Sequence, residues 1–99
     1  MNDVESEPPV LSAAQAGSAA IAQLGELTPK QILGATSTEP TEDGWLVEIE
    51  VLEDRRIPSS SDMLALYEVE IDEDGNLLAY HRTRRYARGS ADIGGRGQR

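Results

Sequence analysis

The 99-residue chain contains no cysteine, no phenylalanine, one tryptophan and one histidine. Because cysteine is absent, disulfides, thiolate metal sites and cysteine nucleophiles are all excluded, and a reducing compartment such as the cytoplasm is consistent with the composition. No apolar run approaches the roughly 18 residues of a membrane span, and the N-terminal sequence has neither the basic nor the apolar region of a signal peptide. Bulky core residues are few, so a deep catalytic pocket is not expected in a domain of this size.

Basic residues are scarce in most of the chain. Residues 1–80 carry 17 acidic and 3 basic side chains, for a charge of −14, whereas residues 81–99 carry six arginines and one aspartate, for a charge of +5. The acidic body should repel nucleic acid and anionic membranes. The basic arm either attracts an acidic partner or pairs with the acidic residues of its own sheet, and the sequence leaves both interpretations open.

The pattern along the chain predicts one domain at residues 10–88, preceded by a disordered acidic leader at 1–9 and followed by a flexible Gly/Arg-rich tail at 89–99. Ser12 and Gln15 form the S-x-x-Q capping box of a helix start. A narrow apolar stripe follows at helical spacing and continues to the end of the predicted helix: Ala13, Ala16, Ala20, Leu24 and Leu27. Such a helix is not stable alone and must lie on another element.

Four strands are predicted after the helix. Residues 32–39 read as a weak edge strand because Pro40 lacks an N–H. Residues 45–53 alternate cleanly between apolar and polar residues, as half-buried antiparallel strands do. Residues 64–71 alternate again, with Ala65, Tyr67, Val69 and Ile71 facing in and Glu68 and Glu70 facing out. A loop at 54–62 joins them, and the Asp-Gly turn at 72–76 leads into a last strand at about 77–86. The prediction is an α+β fold, a helix packed on a four-stranded antiparallel meander.

The register of the last strand decides which side chains reach the open sheet face. We predict that Leu77 and Ala79 face the core, which places Tyr80, Arg82 and Arg84 on the open face. They would lie beside the glutamates of the two preceding strands, Glu48, Glu50, Glu68 and Glu70. Cross-strand Glu–Arg pairs favour this register, since the alternative points arginines into the core.

No catalytic, metal or cofactor site is predicted. His81 is a lone histidine on an edge strand, and Ser59, Ser60 and Ser61 lie in a turn-rich loop where serine is ordinary. The acidic turn at 72–76 is too short for a calcium loop. The open-face glutamates read as a solvated face or as a docking surface for a basic partner. The basic stretch 82–88 with its tyrosines could stack on RNA, but the acidic body argues against nucleic-acid binding.

A series of short motifs follows in a fixed order between residues 44 and 88. These motifs are Gly44-Trp45, Val47-Glu48, Glu53, Arg56-Ile57-Pro58, Asp62, Ala65-x-Tyr67-Glu68-Val69, Asp72, Gly75, Tyr80-x-Arg82 and Arg85-Tyr86-x-Arg88. In their order and spacing they resemble the gas vesicle synthesis protein O family, and the resemblance covers about residues 20–88.

This resemblance implies a cytoplasmic, vesicle-associated accessory protein that assists gas vesicle assembly without catalysing a reaction. It implies contacts with other gas vesicle accessory proteins or with the shell protein. The acidic body, and not the resemblance, is the reason that neither a membrane nor a nucleic acid is expected as partner. The partner-binding positions that match the family pattern are Arg56, Pro58, Tyr80, Arg82, Arg85, Tyr86 and Arg88.

Three alternatives stay open. The helix-plus-meander architecture is similar to PepSY and cystatin-like proteins, which implies an inhibitory or regulatory binding module by fold analogy only. The second alternative is a regulator that binds nucleic acid through residues 82–88. The edge strand at 32–39 could also pair with its copy in a homodimer.

Overall fold

The computed structural model describes residues 11–89. Helix α1 spans Ala13–Gly25 and is followed by β1 (Gln31–Pro40), β2 (Gly44–Asp54), β3 (Met63–Asp72) and β4 (Leu77–Ala87), with one short 3₁₀ turn at Ser59–Ser61. The predicted leader and, apart from Gly89, the predicted tail lie outside the described residues. All four strands form one antiparallel sheet in the order β1-β2-β3-β4. The predicted α+β meander is therefore confirmed.

Helix α1 begins where the sequence predicts. The Ser12 hydroxyl accepts a hydrogen bond from the Gln15 N–H, and the Gln15 side chain accepts one from the Ser12 N–H, so the capping box is complete. The helix buries its small face, namely Ala16, Gly17, Ala20 and Leu24. Leu27, the last residue of the predicted stripe, is 44% exposed because the helix ends at Gly25, two residues earlier.

The sheet has two different faces, and the register identifies them because directly opposite residues in an antiparallel pair share a face. Val47 pairs with Val69 and Ile49 with Tyr67 on the helix face, while Glu48 pairs with Glu68 on the open face. The core lies between α1 and the helix face and consists of fully buried side chains: Ala16, Ala20, Leu24, Val47, Ile49, Val51, Val69 and Ile71. The inward-facing residues predicted for β2 and β3 are confirmed, but Leu52, Leu64 and Leu66 on the open face are buried as well.

The predicted register of β4 is wrong at several positions. Leu77 pairs with Ile71 on the helix face, but Leu78 and Thr83 are each an extra residue at a β-bulge. A bulge inserts one residue and reverses the alternation beyond it. Tyr80 and Arg82 therefore lie on the helix face and Ala79 on the open face, opposite to the prediction. Arg84 does lie on the open face, because the second bulge restores it there.

Two glycines meet specific backbone requirements of the sheet, one where β2 begins and one in the β3–β4 hairpin. At Gly44 a Cβ atom would overlap the Ile71 carbonyl oxygen and the backbone of Asp72, so the close approach of β2 to β3 requires glycine. In the β3–β4 hairpin, the Asp72 carboxylate accepts hydrogen bonds from the N–H groups of Asp74 and Asn76, and Gly75 adopts a φ of 88°. The hydrogen bond from the Asn76 N–H comes first among the causes that hold the pKa of the Asp72 carboxyl below its usual value.

Candidate functional site

Six of the seven predicted contact residues lie at one end of the sheet, which we call the loop end. It comprises the last residues of β2 and β4, the first residues of β3 and the connecting residues 55–62. The residues brought together there are Arg56, Pro58, Arg82, Arg85, Tyr86 and Arg88. Tyr80 lies nearer the start of β4 and therefore away from the loop end; it pairs with Val69 and is 44% exposed.

Glu53 organises the helix-face side of the loop end. It is the extra residue at a bulge in β2, between the Leu52–Leu64 and Asp54–Met63 pairs. Its carboxylate accepts a hydrogen bond from Arg85 Nε at 2.7 Å and lies 3.2 Å from Arg82 Nη1. The carboxylate is only 13% exposed, whereas the two arginines are about half exposed.

Glu53, Arg82 and Arg85 form a triad, and the electrostatics of this Glu53 triad favour the charged form of Glu53. Burial alone would raise the pKa of its carboxyl, but the hydrogen bonds and charges of Arg85 and Arg82 outweigh burial and hold that pKa below the usual 4.5. The triad bridges β2 and β4 across the fully buried Ala65 of β3, which pairs with both Val51 and Arg85. These two arginines therefore stabilise the sheet internally.

Asp62 organises the connecting loop in the same way. Its side chain is 5% exposed and accepts hydrogen bonds from the Arg56 N–H at 2.7 Å and from Arg88 Nη2 at 3.1 Å. The Asp62 carbonyl accepts a third bond from the Arg88 N–H. The bond from the Arg56 N–H, followed by the Arg88 guanidinium, lowers the pKa of the Asp62 carboxyl against the effect of burial. Asp62 thus joins the loop to the end of β4.

The loop held by Asp62 exposes an apolar side chain. Arg56 Nε donates to Asp54, and the Ser61 N–H donates to the Pro58 carbonyl. The Ile57–Pro58 peptide bond is cis, and the Ile57 side chain is 99% exposed. Thus the Arg-Ile-Pro motif is fixed on both sides while its central residue extends into solvent.

The open face does not contain the predicted Glu–Arg pairs. The Tyr86 hydroxyl donates to Glu50 at 2.5 Å, and Arg84 lies over the Tyr86 ring at 5.0 Å from its centroid. Burial and the bond to Glu50 raise the pKa of Tyr86 to about 12. Glu68 is 3.3 Å from His81. The prediction that Arg82 pairs with the open-face glutamates is wrong, because the bulges turn it toward Glu53.

Within residues 11–89 there is neither a pocket nor a group of three His, Cys, Asp or Glu side chains placed to hold a metal ion. The described α-helix falls short of the length and hydrophobicity that a membrane crossing needs.

Sequence reasoning missed the two acidic organisers. Glu53 and Asp62 were noted only as members of a family-like pattern, and neither was identified as a site residue. The family-like pattern itself could have indicated them, because each of these acidic residues is a pattern position and binds an arginine at another pattern position. The pairing of distant residues such as Glu53 and Arg85 is set by strand register and bulges, which periodicity alone does not reveal.

The fold and the loop end together define a small α+β protein whose arginines bind its own carboxylates across strands. Comparison with known proteins identifies the family to which this small α+β protein belongs. The family model described as "Gas vesicle synthesis protein GvpO" matches residues 1–92, so the chain belongs to the gas vesicle synthesis protein O family.

Individual relatives agree with this assignment. The chain is 51% identical over 73 residues to gas vesicle protein O of a Streptomyces species, covering 74% of this chain and 57% of the relative. It is 33% identical over 64 residues to gas vesicle protein O1 of Halobacterium salinarum, covering 65% of this chain and 54% of the relative. The chain thus spans just over half the length of these relatives. No solved structure matches.

Proposed function

We propose that this chain is an accessory protein of gas vesicle formation that acts by binding other gas vesicle proteins, accessory or shell, and not by catalysis. The observation that carries the proposal is the family match over residues 1–92, together with relatives named gas vesicle protein O. The proposed location is the cytoplasm, at the vesicle. A homodimer through the exposed edge of β1 remains a further proposal.

The loop end is the proposed contact region. Internal ion pairs hold the backbone of its loop in one conformation, which reduces the entropy lost on binding. In this proposal Arg82, Arg85, Tyr86 and Arg88 position the surface, while Arg56 and Pro58 shape the exposed loop. Tyr80, which lies outside the loop end, is proposed as an additional contact on β4.

Deletion of the gene in a vesicle-forming host tests the role. We expect deletion to abolish or deform gas vesicles in electron micrographs and the wild-type gene to restore them. Normal vesicles in the deletion strain would refute the proposal.

Co-purification tests the mode of action. Tagged wild-type protein should retain a vesicle protein that Arg85→Ala and Tyr86→Ala lose or bind more weakly. Circular dichroism of each variant separates loss of a contact from loss of the fold. Full rescue of the deletion by a chain that retains no vesicle protein would contradict action through protein contacts.

A further inference from the structure

The three basic residues of the acidic body meet at one corner of the loop end. Residues 1–80 contain only Lys30, Arg55 and Arg56 as basic side chains. Because β1 and β2 are antiparallel and Gln31 pairs with Leu52, the start of β1 lies beside the end of β2. Lys30 Nζ donates to the Glu53 carbonyl at 3.1 Å, and Arg55 Nη2 donates to the Gln31 amide oxygen at 2.7 Å.

The charges at this corner stay available to a partner. Lys30 and Arg55 donate to a backbone carbonyl and a side-chain amide, which are uncharged acceptors, so these hydrogen bonds leave both positive charges in place. Arg56 pairs with Asp54, but both side chains are about half exposed. The neighbouring carboxylates Glu53 and Asp62 are largely buried and already bind arginines of β4 or its end.

Exposed apolar side chains lie in the same two segments as these basic residues, namely residues 27–33 and 55–57. Three of the five large hydrophobic residues exposed in residues 11–89 are found here: Leu27 at 44%, Leu33 at 38% and Ile57 at 99%. Single exposed apolar residues are ordinary, but here they accompany every basic residue of the body. We call this surface the basic corner and define it by Leu27, Lys30, Leu33, Arg55, Arg56 and Ile57.

We propose that the basic corner docks an acidic amphipathic segment of a partner protein. Carboxylates of that segment would meet Lys30 and Arg55, and its apolar side chains would cover Ile57 and the two exposed leucines of residues 27–33. Charge complementarity favours this occupant, and arginine is one of the residue types that contribute most binding energy at protein interfaces. RNA and anionic membranes extend well beyond the corner and would be repelled by the rest of a chain with a net charge of −9, whereas a short acidic segment contacts the corner alone. The inference rests on the proposed function in one respect, that the chain works by binding proteins.

Titration of the ¹⁵N-labelled full chain with designed helical peptides tests this inference. The first peptide carries Glu and Leu at amphipathic spacing, the second has Lys in place of Glu, and the third has Ser in place of Leu. We expect saturable shift changes in segments 27–33 and 55–57 with the first peptide only. No saturable change below about 1 mM, or equal binding of the Lys peptide, overturns the proposal. Tighter binding of single-stranded RNA or phosphatidylserine vesicles at the same residues also overturns it.

Matched variants identify the side chains involved. The double substitution K30E/R55E and the single substitution Ile57→Ser should each weaken binding of the Glu/Leu peptide roughly tenfold or more. The controls Arg84→Glu and Leu78→Ser change exposed residues of the same types on β4 and should bind as wild type. Equal affinity of corner variants and controls contradicts the inference.

The cellular test separates this inference from the proposed function. If the deletion strain forms normal vesicles, the proposed function fails. If deletion abolishes vesicles but the corner variants restore them and retain the same identified vesicle protein, the basic corner alone is refuted. Support requires that the corner variants fail to restore vesicles while the control Leu78→Ser restores them.

Discussion

The Glu53 triad should contribute measurably to stability, and Glu53→Gln is the change that tests it. Glutamine keeps the size of the side chain and one oxygen acceptor but removes the charge. The carboxylate is 13% exposed and is bonded by Arg85 Nε at 2.7 Å and Arg82 Nη1 at 3.2 Å. The substitution therefore leaves two guanidinium groups without their counter-charge.

The magnitude follows from how much water reaches each partner. Loss of a charged hydrogen-bond partner costs about 1.5–3 kcal/mol in buried sites, whereas exposed ion pairs contribute about 0–1 kcal/mol. Glu53 is nearly buried but the arginines are about half exposed, so we expect a loss of about 1–2 kcal/mol. For a domain of this size that corresponds to a decrease in Tm of roughly 4–16 °C.

The pH dependence gives the sign of the same effect. The pKa of the Glu53 carboxyl is below its usual 4.5 in the folded protein, so its stabilising contribution is complete above about pH 4.5 and is lost as the pH falls through the folded value. The difference in unfolding free energy between wild type and Glu53→Gln should be constant near pH 7 and should shrink below pH 4.5.

Thermal and urea unfolding followed by circular dichroism measure these differences. A double-mutant cycle with Arg85→Ala should give a coupling energy of about 0.5 kcal/mol or more. The control is Glu70→Gln on the open face, which should change stability by less than about 0.5 kcal/mol. If Glu53→Gln is as stable as wild type at pH 7, or if the cycle shows no coupling, the triad does not stabilise the sheet.

Three further predictions concern single positions. Gly17→Ala should stabilise the protein by about 0.5–1 kcal/mol, because the added Cβ meets Thr38 Oγ1 at an ordinary 3.7 Å; a lower Tm would contradict this. Gly44→Ala should destabilise by about 1–3 kcal/mol, since its Cβ overlaps the backbone of the adjacent strand; an unchanged urea midpoint would refute that overlap. The ultraviolet absorbance step of Tyr86 near pH 12 should disappear in Tyr86→Phe and move to lower pH in Glu50→Gln, and stability should decrease as pH rises from about 10 toward 12. A Tyr86 step near pH 10 in the wild type would contradict the raised pKa, whether from burial or from Glu50.

The sequence predicted the elements of the fold because their signals are local. The Ser12–Gln15 capping box begins the helix, and the two-residue alternation of β2 and β3 identifies the buried face. The exposed edge position of β1 follows from its polar composition and Pro40. Each of these signals depends on neighbours within a few residues, so periodicity and capping rules were sufficient.

The candidate site was predicted only as a set of residues. Arg56 and Arg88 belong to the recognised pattern, but their common partner Asp62 was not identified as the residue that joins them. The position of Lys30 beside Arg55 was also not predicted, because it requires the register of β1 against β2.

The sequence by itself determined that this chain is a helix followed by an antiparallel meander, with an acidic body and a basic arm. Only the tertiary structure decided where the arginines of residues 82–88 lie. The bulges at Leu78 and Thr83 each add one residue to β4 and rotate the side chains that follow. Arg82 consequently reaches Glu53 on the helix face and not the open-face glutamates. There it joins Arg85, whose face the two bulges together leave unchanged. A bulge arises from strand pairing across the sheet, and a local alternation pattern contains no record of it.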